Sequence, residues 1–163
     1  TQPPAELSKF AKKVAGQFGP HEAAMEICKK VFGAMTYKHG VTGVHSVATE
    51  AWSAKIGVCQ DYAHITLGAL RAAGIPARYV SGYLHPHIAP KVGEKVIGES
   101  HAWVEWWAGS WYAYDPTNDI EIGERHIVVA SGRDYDDVAP LRGVYAGAGE
   151  SELFVTVEIT KEA

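Results

Sequence analysis

The feature that most constrains this chain is a change of period at residues 74–76. Before Gly74-Ile75-Pro76 the apolar residues recur with helical spacing, and after it they fall in short runs rich in β-branched and aromatic side chains. Residues 5–14 (AELSKFAKKV) place Leu7, Phe10, Ala11 and Val14 at i, i+3, i+4 and i+7. A second helix is expected after Gly19-Pro20, with Ala24, Ile27, Cys28 and Val31 on one stripe. A short helix fits residues 47–54, inside a turn-rich stretch, and a third long helix fits residues 59–73. The third carries Ala63, Leu67 and Leu70 on a stripe extended by Tyr62 and Thr66. Gly74 suits its C-terminal cap, and Pro76 cannot continue it. Strands are expected at 77–84, 101–108, 111–115, 126–130 and 153–160, with 85–100 as a long loop. Helices first and strands afterwards predict an α+β fold, with N-terminal helices packed on an antiparallel β-sheet.

The 163 residues suit a single domain spanning 1–163 with one sizeable core. The start at Thr1 fits a fragment lacking a preceding N-terminal region. A formal charge of -4 gives no electrostatic footprint for nucleic acid or an anionic membrane, so neither is expected as a partner. No apolar run approaches the roughly 20 residues that span a bilayer, and no basic-then-apolar leader is present. Two cysteines, Cys28 and Cys59, are too few for a disulfide scaffold, which makes a cytoplasmic setting the expectation.

Cys28 lies on an apolar helical stripe and reads as core packing. Cys59, in KIGVCQDYAH, falls instead at the expected start of a helix. Unpaired backbone N–H groups and the helix dipole there favour a thiolate, the nucleophilic form. Taken alone, Cys59 reads rather as a small residue packed at a helix start than as a nucleophile. A nucleophile also needs a base, and the base needs an orienting group. The segment HAWVEWWAGSWYAYDPTN offers both. A hairpin turning at 108–110 sets His101 opposite residues 115–118, with Asp115 as a direct or diagonal neighbour on the same face. A carboxylate in that position fixes the imidazole tautomer and stabilises the imidazolium. Asp115 before Pro116 is also a common turn starter. The ordered set Cys59, His101, Asp115 favours the catalytic reading.

GVCQDYAH, HAWVEWW and YDPTN resemble the three core motifs of the transglutaminase-like superfamily. The longer stretches GVCQDYAHITLGALRAAGIPARYVSGYL, SHAWVEWW, WYAYDPTN and ERHIVVASGRDYDDVAPLRGVY are similar to bacterial transglutaminase-like proteins described as cysteine proteases. The likeness runs from about residue 30 to 160. It implies a papain-like core with the nucleophile at a helix N-terminus, Cys59 as nucleophile, His101 as base and Asp115 as orienting acid. It implies acyl transfer through a thioester on peptide or protein amides, without a cofactor. Hydrolysis, as in a cysteine protease or amidase, is favoured over protein-glutamine transglutaminase cross-linking. A non-catalytic peptide-binding module is the reading from another class. Animal transglutaminases place a tryptophan upstream of the cysteine, whereas the corresponding EAAM stretch here has no aromatic residue. Gln60, Tyr37 and Trp52 are the candidates to support an oxyanion in its place, beside the Cys59 backbone N–H.

Trp103 shares the His101 face and is expected to line the substrate groove. His64 and Asp61 read as structural, the latter suiting the helix dipole. His85 and His87 lack a third ligand at fitting spacing, so no metal site is expected. GRDYDD (132–137) reads as a solvated loop with Arg133 paired locally and Tyr135 toward the edge of the site.

Overall fold

In a computed structural model the described residues are 2–40, 48–139, 143, 146–147 and 155–163. Helices α1 (Ala5–Ala15) and α2 (Pro20–Ala34) follow the expected periodicities. A two-residue strand β1 (Thr36–Tyr37), helix α3 (Ala48–Ala54) and strand β2 (Ile56–Gly57) lead to helix α4 (Cys59–Ala72). Strands β3 (Ala77–Leu84), β4 (Lys95–Ile97), β5 (Glu99–Trp107), β6 (Trp111–Asp115), β7 (Ile120–Glu121) and β8 (His126–Gly132) come next. Helix α5 (Tyr135–Val138) and strand β9 (Glu158–Thr160) complete the order. The main sheet is antiparallel, in the order β7-β6-β5-β3-β8. This is the α+β architecture that the switch of period predicts.

Helix α4 ends where Gly74 adopts φ +80, and the Ile75 N–H closes back on the Leu70 carbonyl at 3.0 Å. Only glycine takes that left-handed turn without steric penalty, and Pro76 then starts the path into β3. The expected apolar stripe understates α4. Ile65, Gly68 and Ala69 are buried along with Ala63, Leu67 and Leu70, so the helix is enclosed on all sides. Helices α1, α2 and α3 cover it from one side, while β3 and β5 cover it from the other. On the sheet, Ala102, Val104 and Trp106 of β5 belong to this helical core. The alternate residue Trp103 is also fully buried, on the opposite face.

Two sequence expectations are revised, and one strand pairing lies outside them. The segment 85–100 contains β4 and the start of β5, because Val96 pairs with Ile159 across the chain. The strand expected at 153–160 is formed only over Glu158–Thr160, and 153–154 lie outside the described residues. Two-residue β1 and β2 pair in parallel, a contact too short and too distant in sequence to leave a periodic signal. Most of the turn-rich stretch before α3 (41–47) also lies outside the described residues. Among the described residues no helix is long and apolar enough to cross a membrane.

Candidate active site

Cys59 is the first residue of α4 and is partly buried. Its position is fixed from both sides. Upstream, the Lys38 N–H donates to the Gly57 carbonyl at 3.0 Å, tying β2 to β1. Downstream, the buried Asp61 accepts the Val58 N–H on Oδ2 at 2.9 Å, while the Asp61 N–H returns to the Val58 carbonyl at 2.9 Å. Gly57 makes this turn possible, since a Cβ there would lie 2.8 Å from Asp61 Cβ and Oδ2. Asp61 therefore does more than complement the helix dipole: it holds the backbone that presents the sulfur.

The hairpin register pairs Val104 with Tyr114 and Trp107 with Trp111. Continued by three residues, it sets His101 opposite residue 117 and diagonal to Asp115, within the expected range. His101 Nε2 lies 2.6 Å from Asp115 Oδ2. The two carboxylate oxygens of Asp115 have different partners. Oδ1 accepts the backbone N–H groups of Thr117 at 2.9 Å and Asn118 at 3.2 Å, the turn-starter role. Oδ2 faces His101, and also accepts Asn118 Nδ2 at 2.7 Å and His126 Nε2 at 3.3 Å.

Asp115 is completely buried. Burial by itself would push its carboxyl up, but the hydrogen bonds from His101 and His126 and the nearby His101 charge hold it far below the usual range. For His101, burial pulls the imidazole down. Hydrogen bonds with Asp115 and Cys59, and the charges of both, outweigh that and push it up to about 9. Cys59, at the start of α4, thus lies in electrostatic range of His101. Because Nε2 is engaged by Asp115, Nδ1 is the nitrogen left to face a thiol.

One nitrogen each of His101 and His126 and an oxygen of Asp115 lie within 4.8 Å of one another, a set with the composition of a metal site. The proton arrangement argues against that use. The Gly123 N–H donates to His126 Nδ1 at 3.3 Å, so in the neutral ring the proton sits on Nε2, the atom facing Asp115. A metal ligand needs that nitrogen bare, with its proton on the far one. The His101–Asp115 separation of 2.6 Å is likewise that of a shared proton, shorter than two donors around one zinc ion.

The remaining candidates separate. Tyr37 stands at the end of β1 and is 40% exposed. Burial raises its hydroxyl, and so do the charges of Cys59 and Glu99, which puts it in electrostatic range of the sulfur. Gln60 follows Cys59 on α4, with its side chain buried. Trp52 is corrected: its indole N–H donates to Glu6, and Lys55 Nζ lies 3.5 Å from its ring centroid, so its donor serves the α1–α3 contact. Trp103 is corrected as well. It is fully buried and packs beneath the two imidazoles, 6.2 Å from His101 and edge-on at 5.3 Å to His126, so it does not wall a groove. His64 accepts the Tyr135 N–H at 3.1 Å, a structural tie between α4 and α5. His85 Nδ1 accepts the His87 N–H at 3.1 Å within its own loop. Arg133 pairs locally with Asp137 at 2.7 Å, and Cys28 is fully buried in the core.

Sequence reasoning missed His126 and the side-chain role of Asn118. The second was within reach, because DPTN places an amide three residues after the acid, at turn spacing. Nothing in one sequence announces His126, which arrives only because β8 pairs beside β3.

Residues 8–116 match the model of the Transglutaminase-like superfamily. An uncharacterised protein of Mycobacterium leprae is 51% identical over 157 residues, 96% of this chain and 56% of its own length. A "Protein-glutamine gamma-glutamyltransferase" of Pseudomonas aeruginosa is 36% identical over 91 residues, 53% of this chain and 14% of its own. Among solved structures, "a Putative Cysteine Protease from Cytophaga hutchinsonii" superposes with a TM-score of 0.68 at 25% identity, covering 96% of this chain and 46% of that one. The chain spans about half the length of the curated relatives it matches first.

Proposed function

The chain belongs to the transglutaminase-like superfamily, and from that premise we propose that it is a cysteine-dependent amide acyl-transfer enzyme with Cys59, His101 and Asp115 as its triad. What supports the reading is the His101 imidazole, bonded to a buried carboxylate on Nε2 and raised in part by a cysteine at a helix N-terminus. An imidazole held up to about 9 stays protonated at neutral pH and is the counter-ion a thiolate requires.

In the reaction the Cys59 sulfur attacks a peptide or side-chain amide carbonyl, and a C–S bond forms. The tetrahedral oxyanion is met by the Cys59 backbone N–H, with Gln60 and Tyr37 as the nearby side-chain candidates. The C–N bond then breaks, and His101 Nδ1 gives its proton to the departing amine. Water or a second amine attacks the thioester, His101 takes its proton, and the sulfur leaves as thiolate. Asp115 holds His101 in the tautomer that allows both transfers.

Hydrolysis is the favoured outcome. The motivation is that no tryptophan lies upstream in EAAM and that the Trp52 indole is engaged by Glu6. Cross-linking is the second reading, supported by the match to the Pseudomonas aeruginosa protein-glutamine gamma-glutamyltransferase. A peptidase panel run beside incorporation of a labelled amine into a casein-type acceptor separates the two. Cys59→Ala is expected to abolish either activity while leaving the fold intact, and retained activity in that variant refutes the mechanism. Alkylation of Cys59 with iodoacetamide below pH 7 distinguishes an enzyme from a peptide-binding module, whose cysteine reacts only near the ordinary thiol range of about 8.5.

A further inference from the structure

The acid of the candidate triad carries a second imidazole that the acyl-transfer scheme does not use. His126 comes from β8, separated from β5 by the whole of β3, and its side chain is 2% exposed. Its approach is built in. The β3–β8 register slips between Ser81 and Gly82, and Gly82 has no room for a side chain, since a Cβ there would lie 2.1 Å from the Ile127 carbonyl. The same missing Cβ lets Trp103 slide under the strand, where its ring meets His126 edge-on at 75°. Backbone, glycine and tryptophan together aim one nitrogen at Asp115.

We infer that His126 is a positioning residue for the acid: its Nε2–H, fixed by the Gly123 N–H on Nδ1, donates to the same Asp115 oxygen that binds His101, and so limits how strongly the carboxylate draws on the base. This rests on the reading of His101 as the base. Oδ2 receives His101, Asn118 and His126, while Oδ1 is held by two backbone N–H groups. The groups acting on His101 are Asp115 and Cys59, so the carboxylate is its dominant fixed charge. Each donor on the carboxylate stabilises its anion and leaves less of it for the imidazolium. Removing His126 therefore concentrates the charge on His101 and loosens the orientation of Asp115.

The test uses nitrogen-15 NMR of the histidines in the intact protein, which requires no substrate. In the wild type, neutral His126 is expected as the Nε2–H tautomer. His126→Leu removes the donor, and the His101 titration is expected to move upward by roughly half a unit to one unit. His126→Gln keeps an N–H the same number of bonds from Cβ and is expected to restore the wild-type titration. An Nδ1–H tautomer in the wild type overturns the inference without any variant. An unchanged His101 titration in His126→Leu, or a Gln variant as displaced as Leu, overturns it as well. Because none of these readings involves turnover, they stand apart from the Cys59→Ala test of the acyl-transfer scheme.

Discussion

Asp115→Asn probes the site most directly, because it changes one atom of a completely buried side chain. Oδ1 accepts two backbone N–H groups, so the new amide must keep its oxygen there and turn its NH2 toward His101. An NH2 facing the imidazole Nε2–H is a donor against a donor. His101 relieves it by moving its proton to Nδ1, the nitrogen proposed to serve Cys59, and can then no longer accept the thiol proton. Without the carboxylate, what remains is burial, which pulls the imidazole down, against the smaller upward pull of Cys59. The imidazole is expected to fall well below about 9. Loss of the correct tautomer predicts a drop in kcat/KM on the order of 10³- to 10⁴-fold at neutral pH. The stability sign follows from the raised imidazole. In the wild type its contribution is fully present below pH 6.5 and is lost as pH rises through about 9. Urea unfolding across pH 6 to 10, with NMR titration of His101, measures both effects. A variant whose His101 still titrates near 9, or whose activity stays within tenfold of wild type, refutes the reasoning.

Other perturbations test the surrounding structure. Gly57→Ala forces a Cβ to 2.8 Å from Asp61, breaking the Val58 cap; a loss of about 1–3 kcal/mol by urea unfolding, with slower Cys59 alkylation, is expected. Iodoacetamide is expected to label native protein only at Cys59, because burial pushes the Cys28 thiol far up; mass spectrometry should find Cys28 modified only in denaturant. Burial lowers His64, whose neutral Nε2 accepts the Tyr135 N–H. Its contribution is present above about pH 6.5 and lost as pH falls below it, so hydrogen exchange at the Tyr135 amide should accelerate on acidification, and His64→Gln should flatten that dependence. Gly82→Ala drives a Cβ into the Ile127 carbonyl and the Trp103 ring, and a destabilisation on the order of 3 kcal/mol is expected by thermal unfolding.

The sequence by itself determined what is local or short-range in pattern. The switch of period at 74–76 specified helices before strands, and Gly74-Ile75-Pro76 stopped α4 where it stops. A hairpin is a nearest-neighbour device, so counting residues from its turn was enough to bring His101 beside Asp115. Cys59 could be placed at a helix start for the same reason, because caps and first turns are written in adjacent residues. The tertiary structure decided everything that depends on elements meeting from far apart. Periodicity cannot tell that α4 is enclosed on all sides, because enclosure depends on three helices and a sheet packing around it. Nor can it tell which tryptophans face a groove: Trp52 and Trp103 occupy the expected elements, yet one indole N–H is taken by Glu6 and the other ring is sealed under two imidazoles. His126 shows the limit most clearly. It stands 11 residues beyond Asp115, but it reaches the carboxylate only because β8 adds to the sheet edge next to β3, and strand order is a property of the packed molecule.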